Sequence, residues 1–178
     1  MNISRLDKTH YNKEIVYEYV TTGHYKATVK MTNTSFTFDF VHETFETPIT
    51  KSFTDILVPD YLEHPAAFGI FVKDVLIACI VLEHETYNNR LRIVQLLVQN
   101  EYRHQGIGKA LMQHALDYAH NIKARAIVLE TQSCNEPAIR FYVSCGYHFI
   151  GCDVISYTNN DIENNEIRIE MGKMIEQP

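Results

Sequence analysis

A short segment rich in glycine and basic residues, RHQGIGK, carries the clearest chemical signal in the chain. It runs from Arg103 to Lys109, and Gly106 and Gly108 stand on either side of one isoleucine. Two glycines this close let backbone N–H groups turn toward one point without interference from a Cβ atom. Donors at the start of a helix, where the partial charge is positive, favour an anion such as pyrophosphate. The segment therefore predicts an anion-binding loop, although a plain strand–helix turn is the simpler alternative for the glycines alone.

Two common nucleotide-binding motifs do not fit this loop. A Rossmann fingerprint needs Gly or Ala three residues after the second glycine, where this chain has Leu111. A Walker A loop needs a glycine five residues before Gly108, but that position is Arg103. It also needs Ser or Thr for magnesium at the position of Ala110. Both motifs are therefore excluded.

Two further patterns follow the R-x-x-G-x-G segment. Residues 129–135 read LETQSCN, which predicts a strand end leading to an asparagine at a helix start. Residues 138–147 read AIRFYVSCGY, a helix with an aromatic pair and a glycine stop. In this order and spacing the three patterns resemble the GCN5-related N-acetyltransferase (GNAT) family over residues 67–173.

The resemblance implies a fold, a co-substrate and a binding site. The fold would be α/β (α+β), with a mixed, mostly antiparallel central sheet flanked by helices. Acetyl-CoA would be the co-substrate, and no metal is expected. Backbone groups would pair with the pantetheine arm or hold the pyrophosphate, and side chains would add charge and hydrogen bonds. The cofactor-binding residues implied are Leu96 and Val98 for pantetheine, Arg103, His104, Gln105, Gly106, Ile107, Gly108 and Lys109 for pyrophosphate, and Asn135 and Tyr142 for the pantetheine region and the sulfur.

The resemblance also implies two catalytic residues. A primary amine is protonated at neutral pH, so a base must remove a proton before the amine attacks a thioester. The leaving thiolate needs an acid, and the phenol of Tyr142 is suited to that role. Many relatives carry an acid in the strand before the loop, but this strand reads Ile93-Val94-Gln95. Glu130 matches the position of a glutamate that serves as base in the ribosomal-protein N-acetyltransferases, so the resemblance implies it as the base, with Glu83 and Glu85 as second choices. The alternatives are a core aromatic for Tyr142, a helix cap for Asn135 and a structural carboxylate for Glu130.

The length predicts one domain. At 178 residues the chain suits a single GNAT domain, 1–178. Residues 1–66 would supply N-terminal strands and an acceptor-side segment, and residues 67–173 the acetyl-CoA-binding core. Alternation at Phe36, Phe38 and Phe40 predicts a strand. Thr21–His24 predicts a hairpin turn, and residues 51–57 are compatible with a short helix.

The second half of the chain shows a meander and then alternating element types. Periodicity and end signals predict strands over 67–72, 75–83 and 91–98, a helix over 106–122, a strand over 126–131, a helix over 135–145, and strands over 147–157 and 166–174.

Composition limits the class of partner. The chain carries 16 Lys+Arg against 22 Asp+Glu, a net charge of −6, and has no basic run, which argues against nucleic acid. It has neither an apolar run long enough to cross a membrane nor the apolar core of a signal peptide. We therefore expect a cytoplasmic protein that acts on a small molecule. An exposed terminal strand could pair two copies as a homodimer.

The run of residues 129–146 is similar to that of streptothricin acetyltransferases. This similarity implies acetylation of a primary amine on a small cationic molecule, such as a streptothricin-type antibiotic, and hence antibiotic resistance. Carboxylates on the presumed acceptor side would suit a cation, namely Glu43, Glu46, Asp55, Asp60 and Glu63. The alternatives are a protein N-terminal or lysine acetyltransferase and a non-catalytic acyl-CoA-binding module.

Overall fold

The apolar runs in the middle of the chain form the centre of a sheet. The computed structural model describes residues 2–176, which fall into two compact units. The first unit comprises residues 2–17, 53–129 and 172–176. The second comprises residues 18–52 and 130–171.

Strands dominate the described residues, and three α-helices accompany them. The strands are β1 (Ser4–Arg5), β2 (Glu14–Met31), β3 (Phe36–Ile56), β4 (Pro65–Val72), β5 (Val75–Glu85), β6 (Arg90–Val98), β7 (Ala126–Gln132), β8 (His148–Asp153) and β9 (Arg168–Met174). The helices are α1 (Ile107–Asn121), α2 (Glu136–Ser144) and α3 (Asp161–Asn164).

A mixed sheet organises the first unit. Its strands lie in the order β1-β4-β5-β6-β7, and every neighbouring pair is antiparallel except β6 and β7, which run parallel. The parallel pairing covers four residue pairs, from Arg90 with Ala126 to Ile93 with Leu129. A bulge in the β5–β6 pairing follows at Val94, because Val81 pairs with Gln95 and Leu82 with Ile93. The last residues of β6, from Gln95 to Val98, pair with β5.

The core of the first unit is formed by the apolar residues of this sheet and the inner face of α1. Strand residues such as Ile80 and Leu82 are fully buried. The helix buries Ile107, Leu111 and Ala115 at the spacing that the sequence predicts. Burial of this apolar area supplies the main free energy that holds α1, and thus the loop before it, in place.

The second unit contains a two-stranded hairpin and a smaller group of strands. β2 and β3 pair with each other, while β7, β9 and β8 are neighbours in that order. Ser133 ties residues after β7 to the start of β9, since its N–H donates to the Ile167 carbonyl at 2.8 Å. Its hydroxyl donates to the Asn165 carbonyl at 2.7 Å.

Two local predictions in the N-terminal part are wrong. Thr21–His24 is not a turn but lies inside β2. A Cβ at Gly23 would lie 2.5 Å from the Glu43 carbonyl oxygen, so glycine here permits close approach of β3. The hairpin turns at Thr32–Ser35, where the Thr32 hydroxyl accepts the Ser35 N–H at 3.0 Å. Residues 51–57 form no helix, because β3 continues to Ile56 with aromatic and β-branched residues that favour a strand.

Candidate active site

The loop before α1 has the backbone geometry of an anion site. His104 has a φ of 61° and Gly106 a φ of 81°, both in the left-handed region. Gly106 is the N-cap of α1 and offers no side-chain cap, and a Cβ placed on it would meet nothing within 4 Å. The first intrahelical bond runs from the Ala110 N–H to the Gly106 carbonyl at 3.0 Å. The helix N-terminus therefore opens on free space, and its donors suit a diphosphate.

The side chains of the loop divide into supporting and exposed groups. Nε of Arg103 donates to the Val98 carbonyl at 3.0 Å, so this arginine braces the loop against the end of β6. Gln105 donates from Nε2 to the Glu101 carbonyl at 3.0 Å. Lys109 and His104 are exposed. Part of the Arg103 guanidinium is thus engaged in a hydrogen bond within the fold. Lys109 is an exposed cation of the loop.

Leu96 and Val98 lie on β6 beyond the four residue pairs described between β6 and β7. Leu96 pairs with Ile80, and Val98 with Ala78, on the β5 side. The ladder with β7 ends at Ile93 and Leu129. This end of β6 thus resembles a strand edge, the kind of surface to which an extended ligand adds.

In the second unit, Asn135 and Tyr142 lie at the start and near the end of α2. Oδ1 of Asn135 accepts the Ala138 N–H at 3.3 Å, so the helix-cap role is present. Burial raises the pKa of Tyr142 to about 12, and the charge of Cys145 adds to the effect. Among residues 2–176 the Tyr142 hydroxyl has no hydrogen-bond partner. It is therefore a protonated donor at physiological pH with its hydrogen bond unused.

Glu130, the expected base, is an exposed strand residue in an ion pair. Its Oε2 lies 2.5 Å from Nη2 of Arg168, which also contacts Oε1 of Glu170 at 2.6 Å. The carboxylate of Glu130 is therefore held in place by the Arg168 guanidinium. The ion pair with Arg168 gives Glu130 the structural role that the sequence leaves open as its alternative.

The two second choices for the base are held by hydrogen bonds within the first unit. Oε1 of Glu83 accepts the His64 N–H at 2.9 Å. Glu85 pairs with Arg90 and Arg92 at 2.8 and 2.6 Å. Burial alone would raise the pKa of Glu85, but the two guanidinium groups lower it below its ordinary value. Glu85 is therefore a structural ion-pair partner.

The sequence did not predict the contacts of Gln95, which lies in the segment of residues 93–95 where the resemblance leads us to expect an acid. Gln95 is buried and its amide donates to Oδ2 of Asp55 at 2.8 Å. The sequence feature that could have indicated these contacts is a polar residue within the apolar run of residues 93–98. The acidic residues expected on the acceptor side belong to both units: Asp55, Asp60 and Glu63 to the first, and Glu43 and Glu46 to the second.

Two further findings concern metals and membranes. Within residues 2–176, no group of three or more His, Cys, Asp or Glu side chains is arranged to hold a metal ion. No helix in the same range is long and apolar enough to span a membrane.

Comparison with known proteins gives consistent matches. The acetyltransferase (GNAT) family model matches residues 27–147. A streptothricin acetyltransferase of Escherichia coli is 31% identical over 104 residues, which cover 58% of this chain and 59% of that relative. The chain thus spans about three fifths of the length of this curated relative.

Two solved structures share the fold over nearly the full length. A nourseothricin acetyltransferase superposes with a TM-score of 0.76 at 24% identity, covering 97% of both chains. A Bacillus anthracis protein solved in complex with acetyl coenzyme A superposes with a TM-score of 0.72 at 21% identity, covering 98% of this chain and 99% of that one.

Proposed function

Because this chain belongs to the acetyltransferase (GNAT) family, we propose that it transfers the acetyl group of acetyl-CoA to a primary amine of a small cationic molecule of streptothricin type. The observation that carries the proposal is the open N-terminus of α1 behind the left-handed His104 and Gly106. The similarity to a streptothricin acetyltransferase supports the choice of acceptor.

The residues would act mainly by binding and positioning. The N–H groups from His104 to Lys109 would hold the diphosphate, and the exposed Lys109 would add positive charge. The backbone of Leu96 and Val98 would hold the extended pantetheine arm as an added strand. Acetyl-CoA supplies the activated acetyl group, and holding it beside the amine turns a bimolecular reaction into an effectively unimolecular one.

Tyr142 would supply the proton for the leaving thiolate. A phenol with a pKa of about 12 is fully protonated at neutral pH, so its proton is present when the thiolate forms. The amine must lose its own proton before attack. Glu130 is the proposed acceptor of that proton, directly or through water, despite its ion pair with Arg168.

The first experiment tests the co-substrate. Calorimetric titration with acetyl-CoA is compared with S-acetylpantetheine, which lacks the diphosphate. We expect acetyl-CoA to bind at least 100-fold more tightly, and Gly108→Trp to remove most of that difference by filling the loop. Gly151→Trp serves as the control, because Gly151 has open space around its Cβ and lies outside the loop. Equal affinity for the two ligands in the wild type would overturn the diphosphate site.

The second experiment identifies the acceptor. Release of free CoA thiol is measured with a streptothricin, a polyamine, a peptide with a free N-terminus and a lysine peptide. The proposal expects turnover with the first and a KM that rises with salt, because screening weakens the capture of a cation. Turnover with peptides alone would indicate a protein acetyltransferase. Acetyl-CoA binding without turnover would indicate a non-catalytic acyl-CoA-binding module.

A further inference from the structure

Three side chains in the first unit form a continuous hydrogen-bonded chain. The Tyr17 hydroxyl donates to Oε1 of Gln95 at 2.6 Å. Nε2 of Gln95 donates to Oδ2 of Asp55 at 2.8 Å and to the Ile56 carbonyl at 3.2 Å. The orientation of the amide is fixed, because a backbone carbonyl can only accept and must face the nitrogen.

These hydrogen bonds orient the Asp55 carboxylate but do not neutralise its charge. Oδ1 of Asp55 accepts the Ile56 N–H at 2.7 Å, and Oδ2 accepts the Gln95 amide. Each carboxylate oxygen keeps a further lone pair. Across residues 2–176, no Lys or Arg side chain pairs with Asp55. Several other carboxylates among the described residues do have a cation within ion-pair distance, namely Glu43, Glu85, Glu130, Glu136, Glu166 and Glu170.

An aromatic surface adjoins this carboxylate. The rings of Tyr17 and Phe53 stack with centroids 4.9 Å apart and an interplanar angle of 17°. Phe53 and Asp55 are two residues apart in β3, so their side chains lie on the same face of the strand. Phe53 is 44% exposed and Asp55 is exposed, so both are open to a ligand.

A carboxylate that is oriented, exposed and without a cation, beside an aromatic stack, suits one class of ligand. An alkylammonium group can donate N–H bonds to the carboxylate, while its carbon chain covers the rings. Aromatic faces also attract cations directly. A neutral amide at position 95 leaves a single negative charge at this place, whereas a glutamate there would repel Asp55.

We propose that Asp55, oriented by Gln95, binds an ammonium group of the acceptor, with the attached alkyl chain lying on the Tyr17–Phe53 stack. The inference rests on the proposed function, since it names the part of the acceptor that the first unit recognises. Asp55 is a specificity residue here, and no proton transfer is assigned to it.

A fluorescence titration tests the site without turnover. The chain contains no tryptophan, so Phe53→Trp places a single indole in the stack. We expect a saturable fluorescence change with pentylammonium and none with 1-pentanol at equal concentrations. Adding Asp55→Asn should weaken the pentylammonium response at least tenfold. Adding Asp117→Asn should not, because Asp117 is an exposed carboxylate on α1 with the same change of charge.

Separate titrations distinguish the ammonium site from the acetyl-CoA site. Acetyl-CoA titration of the same Phe53→Trp protein reports the co-substrate site independently. Normal acetyl-CoA binding with no pentylammonium response, or with a response that Asp55→Asn leaves unchanged, overturns the ammonium site alone. Loss of thermal stability in Asp55→Asn is checked in parallel, and Gln95→Leu gives a second variant that removes the orienting amide while Asp55 stays. We expect Gln95→Leu also to weaken the pentylammonium response.

Discussion

Nη2 of Arg168 lies 2.5 Å from Oε2 of Glu130 while the same guanidinium contacts Oε1 of Glu170. One cation therefore serves two carboxylates of the second unit. Burial alone would lower the pKa of Arg168, but the hydrogen bond that it donates to Glu170 and the charges of both carboxylates raise the pKa above its ordinary value. Removal of the arginine would take this shared cation away from both carboxylates.

A double-mutant cycle measures this ion pair. We expect Arg168→Met to lower the free energy of unfolding by about 0.5–1 kcal/mol, since the partners are partly exposed and screened. Adding Glu130→Gln should recover part of that loss, and 1 M NaCl should reduce the coupling. Arg5→Met, at an exposed arginine of β1, is the control and should change stability little. A coupling energy of zero at low salt would contradict the expectation.

We expect a glycine to be required at position 106 because of its backbone conformation, and not because a side chain there would clash with neighbouring atoms. Its φ of 81° disfavours any residue with a Cβ, although that Cβ would meet no atom within 4 Å. Gly106→Ala should cost about 1–2 kcal/mol of folding free energy and weaken acetyl-CoA binding. Gly151→Ala meets equally open space with no left-handed φ, so urea unfolding should show little change. Equal losses in the two variants would show that the left-handed backbone is not the cause.

Tyr142→Phe separates stability from catalysis. The Tyr142 hydroxyl has no hydrogen-bond partner in the described part of the chain, so its removal should change the free energy of unfolding by less than about 0.5 kcal/mol. If Tyr142 protonates the thiolate, turnover should fall at least about tenfold with acetyl-CoA affinity unchanged. Because the pKa is about 12, the loss should be uniform between pH 6 and pH 9.

The neighbouring tyrosine provides the matched control for that variant. Tyr147 is buried, and its ring centroid lies 6.4 Å from that of Tyr142. Tyr147→Phe should leave turnover within twofold of the wild type. Comparable losses of turnover in the two phenylalanine variants would indicate that packing in α2, and not proton donation, explains the Tyr142 effect.

Glu136 should make stability depend on pH in the acidic range. Burial alone would raise the pKa of this carboxyl. The hydrogen bond from Thr22 and the charges of Arg140 and His42 outweigh that effect and lower the pKa below its ordinary value. A lowered folded-state pKa adds stability above the unfolded value of about 4.3, and that stability is lost as pH falls through the folded pKa.

Unfolding by urea between pH 3 and pH 8 checks this. Glu136→Gln should lower the free energy of unfolding by about 1–3 kcal/mol at pH 7, because a buried charged hydrogen-bond acceptor is lost. The difference from the wild type should shrink below about pH 4.3, as the native carboxyl is protonated. Glu163→Gln, an exposed glutamate of α3, should show no such convergence. A pH-independent difference at Glu136 would contradict the linkage.

Local signals predicted the elements around the candidate site. Gly106 and the spacing of Ile107, Leu111 and Ala115 located α1, and Asn135 with Gly146 located the ends of α2. These signals are contained within one helix and its caps, so a single sequence is sufficient to find them. The GNAT fold predicted from the three motifs is confirmed by the family match and by the structural similarity.

Long-range contacts were not predictable in the same way. Gln95 and Asp55 are 40 residues apart, and nothing in either segment indicates that their side chains meet. Gly23 looked like a turn residue because a single sequence does not show that another strand approaches its backbone. The ion pair of Glu130 with Arg168 was hidden for the same reason, since partners on separate strands are set by topology.

The close approach at Gly23 also limits the ways in which the long hairpin can assemble. A Cβ at that point would lie 2.5 Å from the Glu43 carbonyl oxygen. A slip of one residue would present Thr22 or His24 there instead and would turn every side chain of β2 to the opposite face. The glycine therefore favours the native register of β2 and β3, because either neighbouring residue would place a Cβ too close to the Glu43 carbonyl oxygen.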